Sequence, residues 1–317
     1  MFRHLLVPLD GSELAEAVLP MVELLAGGLH ASVTLLHVLE RRPPSQVHGE
    51  RHLASVHEAR EYLDGVQRRL QQRGLTVSCH VHEVAEGDVA RSIVAHSEEL
   101  ENDLVVLATH GRGGVRGMLF GSIAQQVLGS GTRPVLVIHP QPPPAGGEPQ
   151  APGPGQGQAE PLRLRRIGVP LDGAAHHVPS VPVAVELARR LGAAVFLVTV
   201  VPHPRHLAGG PGMARRFLPL ATAARLQLQA REAQAALEQL ARRESAGGVE
   251  VRTAVRRGEP VAELVRYFRE QAIDLAVVAT HALKGWTAFW EGSLTPRLLS
   301  QWRGPALLVR VSQQTSP

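Results

Sequence analysis

The amino-acid sequence predicts an α/β protein built as two doubly wound parallel-sheet domains in tandem. Three observations predict it. The chain repeats itself over most of its length, each repeat alternates short aliphatic runs with helix-period stretches, and a proline- and glycine-rich segment separates the repeats. A length of 317 residues agrees, being long for one compact α/β domain and suited to two.

The repeat can be followed segment by segment. "LLVPLDGS" from Leu5 to Ser12 matches "IGVPLDGA" from Ile167 to Ala174, and "VTLLHV" from Val33 to Val38 matches "VFLVTV" from Val195 to Val200, both at an offset of 162. Beyond these the offset is 171: "EGDVARSIV" pairs with "RGEPVAELV", "DLVVLATH" with "DLAVVATH", and "RPVLVIH" with "GPALLVR". One nine-residue insertion between Val200 and Gly258 accounts for the shift. Between the copies, "HPQPPPAGGEPQAPGPGQGQAEPLR" holds almost nothing that could offset its ordering entropy, so it reads as a flexible tether. The expected boundaries are residues 1–140 for the first domain, 141–163 for the linker and 164–312 for the second domain.

Each copy reads β-α-β-α-β-α-β-α-β. In the first copy the strands are Leu5 to Leu9, Val33 to Val38, Val77 to Val81, Leu104 to Ala108 and Val135 to Ile138, apolar on both sides as a parallel sheet covered by helices requires. The gaps carry helical periodicity. Ala59, Leu63, Val66 and Leu70 form one apolar face, and Leu226, Ala230, Ala233, Leu237 and Leu240 do the same in the second copy.

Composition narrows the function. Apolar residues at 44% and charged residues at 20% are globular values, and no apolar run reaches the roughly 18 residues of a membrane span. "MFRHLLVPLDGS" meets Asp10 too early for a signal peptide, which leaves the cytoplasm as the expected location and no membrane partner. The single Cys79 excludes an internal disulfide framework and reads as a buried small residue. A pI near 10.1 suggests nucleic acid, but the formal charge is only +4 and its basic residues are scattered arginine pairs with few aromatics between them. These read as solvated helix faces, with no nucleic-acid partner.

A ligand in an open parallel sheet sits beyond the carboxyl ends of the strands. Three features of the first copy meet at that edge. Strand one ends at Asp10 and the turn at Gly11, strand two ends at Val38, and strand four runs directly into "THGRGG" and on to "GSIAQQVL". Ser122 can cap the following helix, whose free N–H groups and dipole favour an anion. The known phosphate motifs do not fit: there is no G-x-x-x-x-G-K-[ST], and "GRGGVR" has Arg116 where a dinucleotide loop needs its last glycine. A carboxylate at one end and bare N–H groups at the other suit a nucleotide.

These segments resemble the universal stress protein family, in its tandem form. ATP-binding members carry G-x2-G-x9-G-[ST] after the fourth strand, and the first copy reads Ala108-x2-Gly111-x9-Gly121-Ser122. The resemblance covers nearly all of both copies and implies strand order 3-2-1-4-5, with fifth strands pairing the two domains as a pseudo-dimer or pairing chains as a homodimer. It also implies that Pro8, Leu9, Asp10 and Val38 hold the adenosine end of ATP, with or without Mg2+, and that Gly111, Gly121, Ser122 and Ile123 hold the phosphates. Ala108 departs from the first glycine and crowds the ribose slightly.

The second copy departs further. It keeps Asp172, Val200, Gly292 and Ser293 but has Ala279 and Ala282 for the leading glycines and Glu291 beside the phosphate position. Glu291 adds negative charge there, so ATP is expected in the first domain and weakly or not at all in the second. Trp286, Phe289 and Trp290 stand in the altered loop, read as packing that closes the vacated site, with a partner- or lipid-facing patch as the alternative. Three histidine groupings (His48 with His52 on a helix face, His80 with His82 on a strand face, His176 with His177) lack a placed fourth ligand and read as surface histidines, with no metal assigned. His110 and His281 have no defined partner, and no Ser-His-Asp or Cys-His set is spaced for catalysis. The functional expectation is an ATP-binding stress-response protein that acts through nucleotide-dependent regulation or partner binding rather than by turnover. The alternatives are a nucleotide-independent scaffold and a slow ATPase.

Overall fold

The aliphatic runs form parallel strands in the computed structural model, which describes residues 1–41, 46–47, 50–84, 89–109, 122–140, 162–171, 179–202, 219–281 and 294–311. The chain divides into two units, Phe2–Arg163 and Leu164–Pro317. In the first unit the strands are β1 (His4–Pro8), β2 (Ser32–Glu40), the short β3 (Gln46–Val47) and β4 (Glu50–Arg51), β5 (Val77–Val84), β6 (Leu104–Ala108) and β7 (Val135–Ile138). The helices are α1 (Glu13–Glu16), α2 (Leu19–Leu29), α3 (Val56–Gln72), α4 (Val89–Glu99) and α5 (Ser122–Ser130). The parallel strands lie in the order β5-β2-β1-β6-β7, which in long-strand numbering is 3-2-1-4-5. The antiparallel β3–β4 pair is an addition to the expected alternation.

Burial follows position in the sheet. Leu5, Leu6 and Val7 of the central β1 are wholly buried because helices cover both faces, while Ser78 and Glu83 on the edge strand β5 face outward. The predicted face of α3 is buried at all four positions, and Ser55 caps that helix by accepting from the Glu58 N–H at 3.2 Å. Where one helix was expected after β1 there are two. Pro20 has no N–H to continue the ladder from α1, so the chain turns at Ala17 and Val18 and restarts α2 with proline in its first turn.

The second unit repeats the plan with β8 (Arg166–Leu171), α6 (Ser180–Leu191), β9 (Ala194–Val201), α7 (Pro219–Ser245), β10 (Val251–Arg257), α8 (Pro260–Glu270), β11 (Leu275–His281), α9 (Leu294–Gln301) and β12 (Ala306–Val311). Its sheet order is β10-β9-β8-β11-β12, again 3-2-1-4-5. Of the expected apolar face of α7, Leu226, Ala230 and Leu237 are buried and Ala233 and Leu240 partly so.

One polar clamp occurs twice. The Asp103 carboxylate accepts from the backbone N–H groups of Arg3 and His4 at 2.7 and 3.0 Å, and Asp274 accepts from those of Arg165 and Arg166 at 2.8 and 2.9 Å. In each unit the aspartate stands just before the fourth strand and fixes the start of the first strand beside it, which sets the register of the pair that flanks the site.

Packing beneath the repeated frame is not repeated. Leu6, Ser97 and Gly131 of the first copy correspond to Gly168, Phe268 and Trp302 of the second. In the second unit the Phe268 and Trp302 rings meet edge to face with centroids 5.2 Å apart, and a Cβ on Gly168 would lie 2.8 Å from Phe268 Cε1. The bulk supplied by a leucine in one copy comes from an aromatic pair in the other, which keeps that part of the core filled.

Candidate functional site

β1 and β6 are neighbours whose following connections lead to different helices, so the crevice between their carboxyl ends is the topological switch point of the first sheet. A cavity of about 210 Å³ opens there. Pro8, Leu9 and Asp10 reach it from the end of β1, Leu36 and Val38 from β2, and Leu107 and Ala108 from β6. Leu14 and Ala15 of α1, Val89 and Ile93 of α4, and Ile123 and Ala124 of α5 close the remaining sides.

Local chemistry fixes the rim. Asp10 Oδ1 accepts from the Ser12 N–H at 2.9 Å and from the Ser12 hydroxyl at 2.6 Å, while Ser12 Oγ accepts from the Ala15 N–H at 3.1 Å. This aspartate-led turn passes through Gly11 at φ +93°, a conformation that glycine adopts without a Cβ penalty. The Leu53 side chain packs over the turn, 3.0 Å from where a Cβ on Gly11 would lie. Leu9 is held from both sides: its N–H donates to the Leu36 carbonyl at 2.9 Å, and its carbonyl accepts from His37 Nδ1 at 2.8 Å. A carbonyl only accepts, so Nδ1 carries the proton. Burial lowers the His37 pKa below the usual 6.5 against the opposing effect of that hydrogen bond. Beyond Ala108, Thr109 donates its N–H to the Ile138 carbonyl at 2.8 Å and its hydroxyl lies 2.7 Å from His139 Nδ1, tying the end of β6 to the end of β7.

Of the residues expected from sequence, Pro8, Leu9, Asp10, Val38, Ala108 and Ile123 line this one cavity. Ser122 opens α5, directly before Ile123. Gly111, Gly121, Asp172, Gly292 and Ser293 lie outside the described residues, as do most of the linker, His48, His110, His176, His177, Glu291 and the trio Trp286, Phe289 and Trp290. Sequence reasoning missed the other lining residues, among them Leu14 and Ala15 of α1 and Val89 and Ile93 of α4, and it missed His37, which holds the Leu9 carbonyl. A polar residue at the wholly buried strand position shared by His37 and Thr199 was the available signal for the last. Two other readings are corrected. His52 precedes α3 rather than sharing a helix face, and His80 and His82 turn inward toward α4, partly buried, instead of standing on the surface. Cys79 is half-buried, its thiol pushed up to about 11 by burial.

A model of the universal stress protein family matches residues 1–139 and again residues 163–310. The chain belongs to the universal stress protein family. This universal stress protein is similar to MJ0531 of Methanocaldococcus jannaschii, 28% identical over 145 residues that take in 44% of this chain and 82% of that protein. It is likewise similar to YxiE of Bacillus subtilis, 25% identical over 150 residues, 44% of this chain and 99% of that one. In both, the matched stretch is about the length of one copy. The fold matches a crystal structure of a universal stress protein from Archaeoglobus fulgidus DSM 4304 with a TM-score of 0.65 over 98% of this chain and 97% of that one, at 14% identity. None of the described helices is long and apolar enough to cross a membrane.

Within this universal stress protein the second copy keeps one of the corresponding positions and changes others. Val200 stands where Val38 does, Thr199 replaces His37, and Leu294 and Thr295 replace Ile123 and Ala124. Glu259 caps α8 through the Ala262 N–H at 2.8 Å and also pairs with Arg297 of α9 at 2.7 Å, joining the two helices that follow strands three and four.

Proposed function

We propose that the first unit binds an adenine nucleotide, ATP by preference, and that the protein acts by binding partners according to its nucleotide state. The observation that carries this reading is the meeting of six sequence-selected residues, drawn from three strand ends and one helix start, around a single cavity at the switch point. Its walls are largely aliphatic, as suits the faces of a purine, Asp10 is the one ionisable side chain among its described lining residues, and Ile123 leaves 41% of its surface exposed at α5. About 210 Å³ suits a base and ribose better than a whole nucleotide. The phosphates are assigned to Gly111, Gly121 and the opening N–H groups of α5, where the helix dipole favours negative charge.

Binding fits these walls better than turnover does. Hydrolysis needs a positioned water and a base, and Asp10 already holds the Ser12 turn. The second unit is read as binding nucleotide weakly or not at all, because of Ala279 in β11 and Ala282 and Glu291 in the loop sequence that follows. Mass spectrometry of small molecules released from the purified full chain tests the proposal. Adenine nucleotide at about one per chain supports it, and a chain that carries none and takes up none when ATP is added sinks it.

A further inference from the structure

Away from the cavity, three histidines converge between the edge strand β5 and helix α4. His80 and His82 are two residues apart on β5 and therefore point to one face of the sheet, the face opposite Cys79, which feels the charge of Asp64 on α3. His96 of α4, 4% exposed, completes the group from above. The His96 ring centroid lies 4.8 Å from that of His80 and 4.4 Å from that of His82. One nitrogen from each residue can be chosen so that all three lie within 4.8 Å of one another.

Two details distinguish this from histidines that merely pack. His96 Nδ1 lies 2.7 Å from the Ser92 carbonyl, which can only accept, so the proton is on Nδ1 and the lone pair is on Nε2. Such an anchoring bond on the far nitrogen is how metal-binding imidazoles are oriented. Meanwhile His80 Nε2 is buried without a hydrogen-bond partner among the described residues, a costly arrangement for a polar atom unless something binds it.

We propose that His80, His82 and His96 form a binding site for a late first-row divalent metal ion, Zn2+ by preference. Imidazole nitrogen is the ligand type these ions favour, and three of them with a fourth position open is an established zinc arrangement. Two nitrogens bonded at about 2.0–2.1 Å to a tetrahedral ion are about 3.3 Å apart, so binding requires the present spacing of up to 4.8 Å to close by side-chain rotation, chiefly of His80 and His82, since His96 is anchored. Glu99 stands one helical turn beyond His96 and is close enough to act on the charge of His80, adding a carboxylate to the surroundings of the open position. The ion clips α4 to the edge strand. Because α4 also carries Ile93 into the cavity wall, the clip stiffens that wall, but the metal site stands without any nucleotide.

The test uses the full chain, stripped with a chelator and titrated with Zn2+ by calorimetry, with bound metal counted by elemental analysis. His82→Gln and His96→Gln should each remove one equivalent per chain or weaken it by at least about tenfold, the scale on which even supporting contacts to a metal site act. His57→Gln, an exposed position on α3, should bind as the unaltered chain does. Since His96 is buried and its variant could unfold, imidazole nitrogen NMR of the unaltered chain provides a second reading. The signals of His80, His82 and His96 should shift together with the first equivalent of Zn2+. Unchanged stoichiometry and affinity in both variants, no Zn2+ uptake, or shifts confined to other histidines would each overturn the proposal.

Discussion

Replacing Asp10 separates the two tasks assigned to it. Its Oδ1 accepts two hydrogen bonds from Ser12, at 2.9 and 2.6 Å, and so sets the turn through Gly11. In the proposed complex the same carboxylate also meets the adenosine end of the ligand. Hydrogen bonds to a charged group are worth about 1.5–3 kcal/mol each, so losing one to ATP weakens binding about 10- to 150-fold at 1.4 kcal/mol per decade. Asp10→Ala removes the charge and the Ser12 bonds together, so it should lower both affinity and melting temperature. Asp10→Asn keeps an acceptor for Ser12 but not the charge. It should melt nearer the unaltered chain while binding ATP at an intermediate level. Asp172→Ala, at the matching position of the second copy, should leave the affinity of the full chain unchanged. Calorimetric titration with ATP, paired with thermal denaturation of each variant, reads both quantities. A folded Asp10→Ala chain that binds ATP with the unaltered Kd would refute the reasoning, as would loss of binding in Asp172→Ala.

Three further outcomes follow from the fold and its rim. Gly168→Leu places the first copy's residue into the second unit, where a Cβ would meet Phe268 Cε1 at 2.8 Å and Ile273 Cγ2 at 3.0 Å, and should cost about 1–3 kcal/mol in denaturant unfolding. Phe268→Ala alone should cost about 3–5 kcal/mol, and the double variant should be clearly less destabilised than the sum, since the leucine occupies the vacated space; strict additivity would show that the two side chains do not share it. His30 ends α2 at φ +54° where the second copy uses Gly192 at φ +68°, so His30→Gly should raise stability by about 1 kcal/mol, and a lower melting temperature would count against the strain. Burial holds the folded pKa of His37 below 6.5, so the unfolded chain takes up that proton first. The contribution of His37 to stability is complete above pH 6.5 and is lost as pH falls through the lower folded value. His37→Asn should therefore flatten the pH dependence below 6.5, and an unchanged profile would place that titration elsewhere.

What was legible in the sequence was whatever rests on local pattern. Two-sided aliphatic runs located the inner strands of the first sheet, and the matched copies carried the plan to the second, whereas the edge strands β5 and β10 hold polar residues on both faces and carry a weaker signal. The rim residues from Pro8 to Asp10, together with Val38, Ala108 and Ile123, could be placed because each lies within two residues of a strand's carboxyl end or a helix start, although β2 runs on past Val38 to Glu40. Val89 and Ile93 were not, since how far α4 leans over the edge of the sheet depends on packing. Pro20 was visible, yet its effect depends on whether the helix before it could continue, and the structure shows that it stops. The exchange of Leu6 for an aromatic pair over Gly168 could not be read from either copy alone, because the compensating residues are about 100 positions away in the chain. The same holds for the histidine cluster. The spacing of His80 and His82 put them on one face, but His96 joins them only through the crossing of α4 over β5.

Photoaffinity labelling of the full chain with an azido-adenine analogue of ATP, followed by peptide mapping, tests the location of the nucleotide most directly. Label is expected on peptides that carry the first unit's cavity wall, around Leu36–Val38 or Val89–Ile93, and should be lost when unlabelled ATP competes. Label confined to the second unit, or label that excess ATP does not displace, would contradict that location.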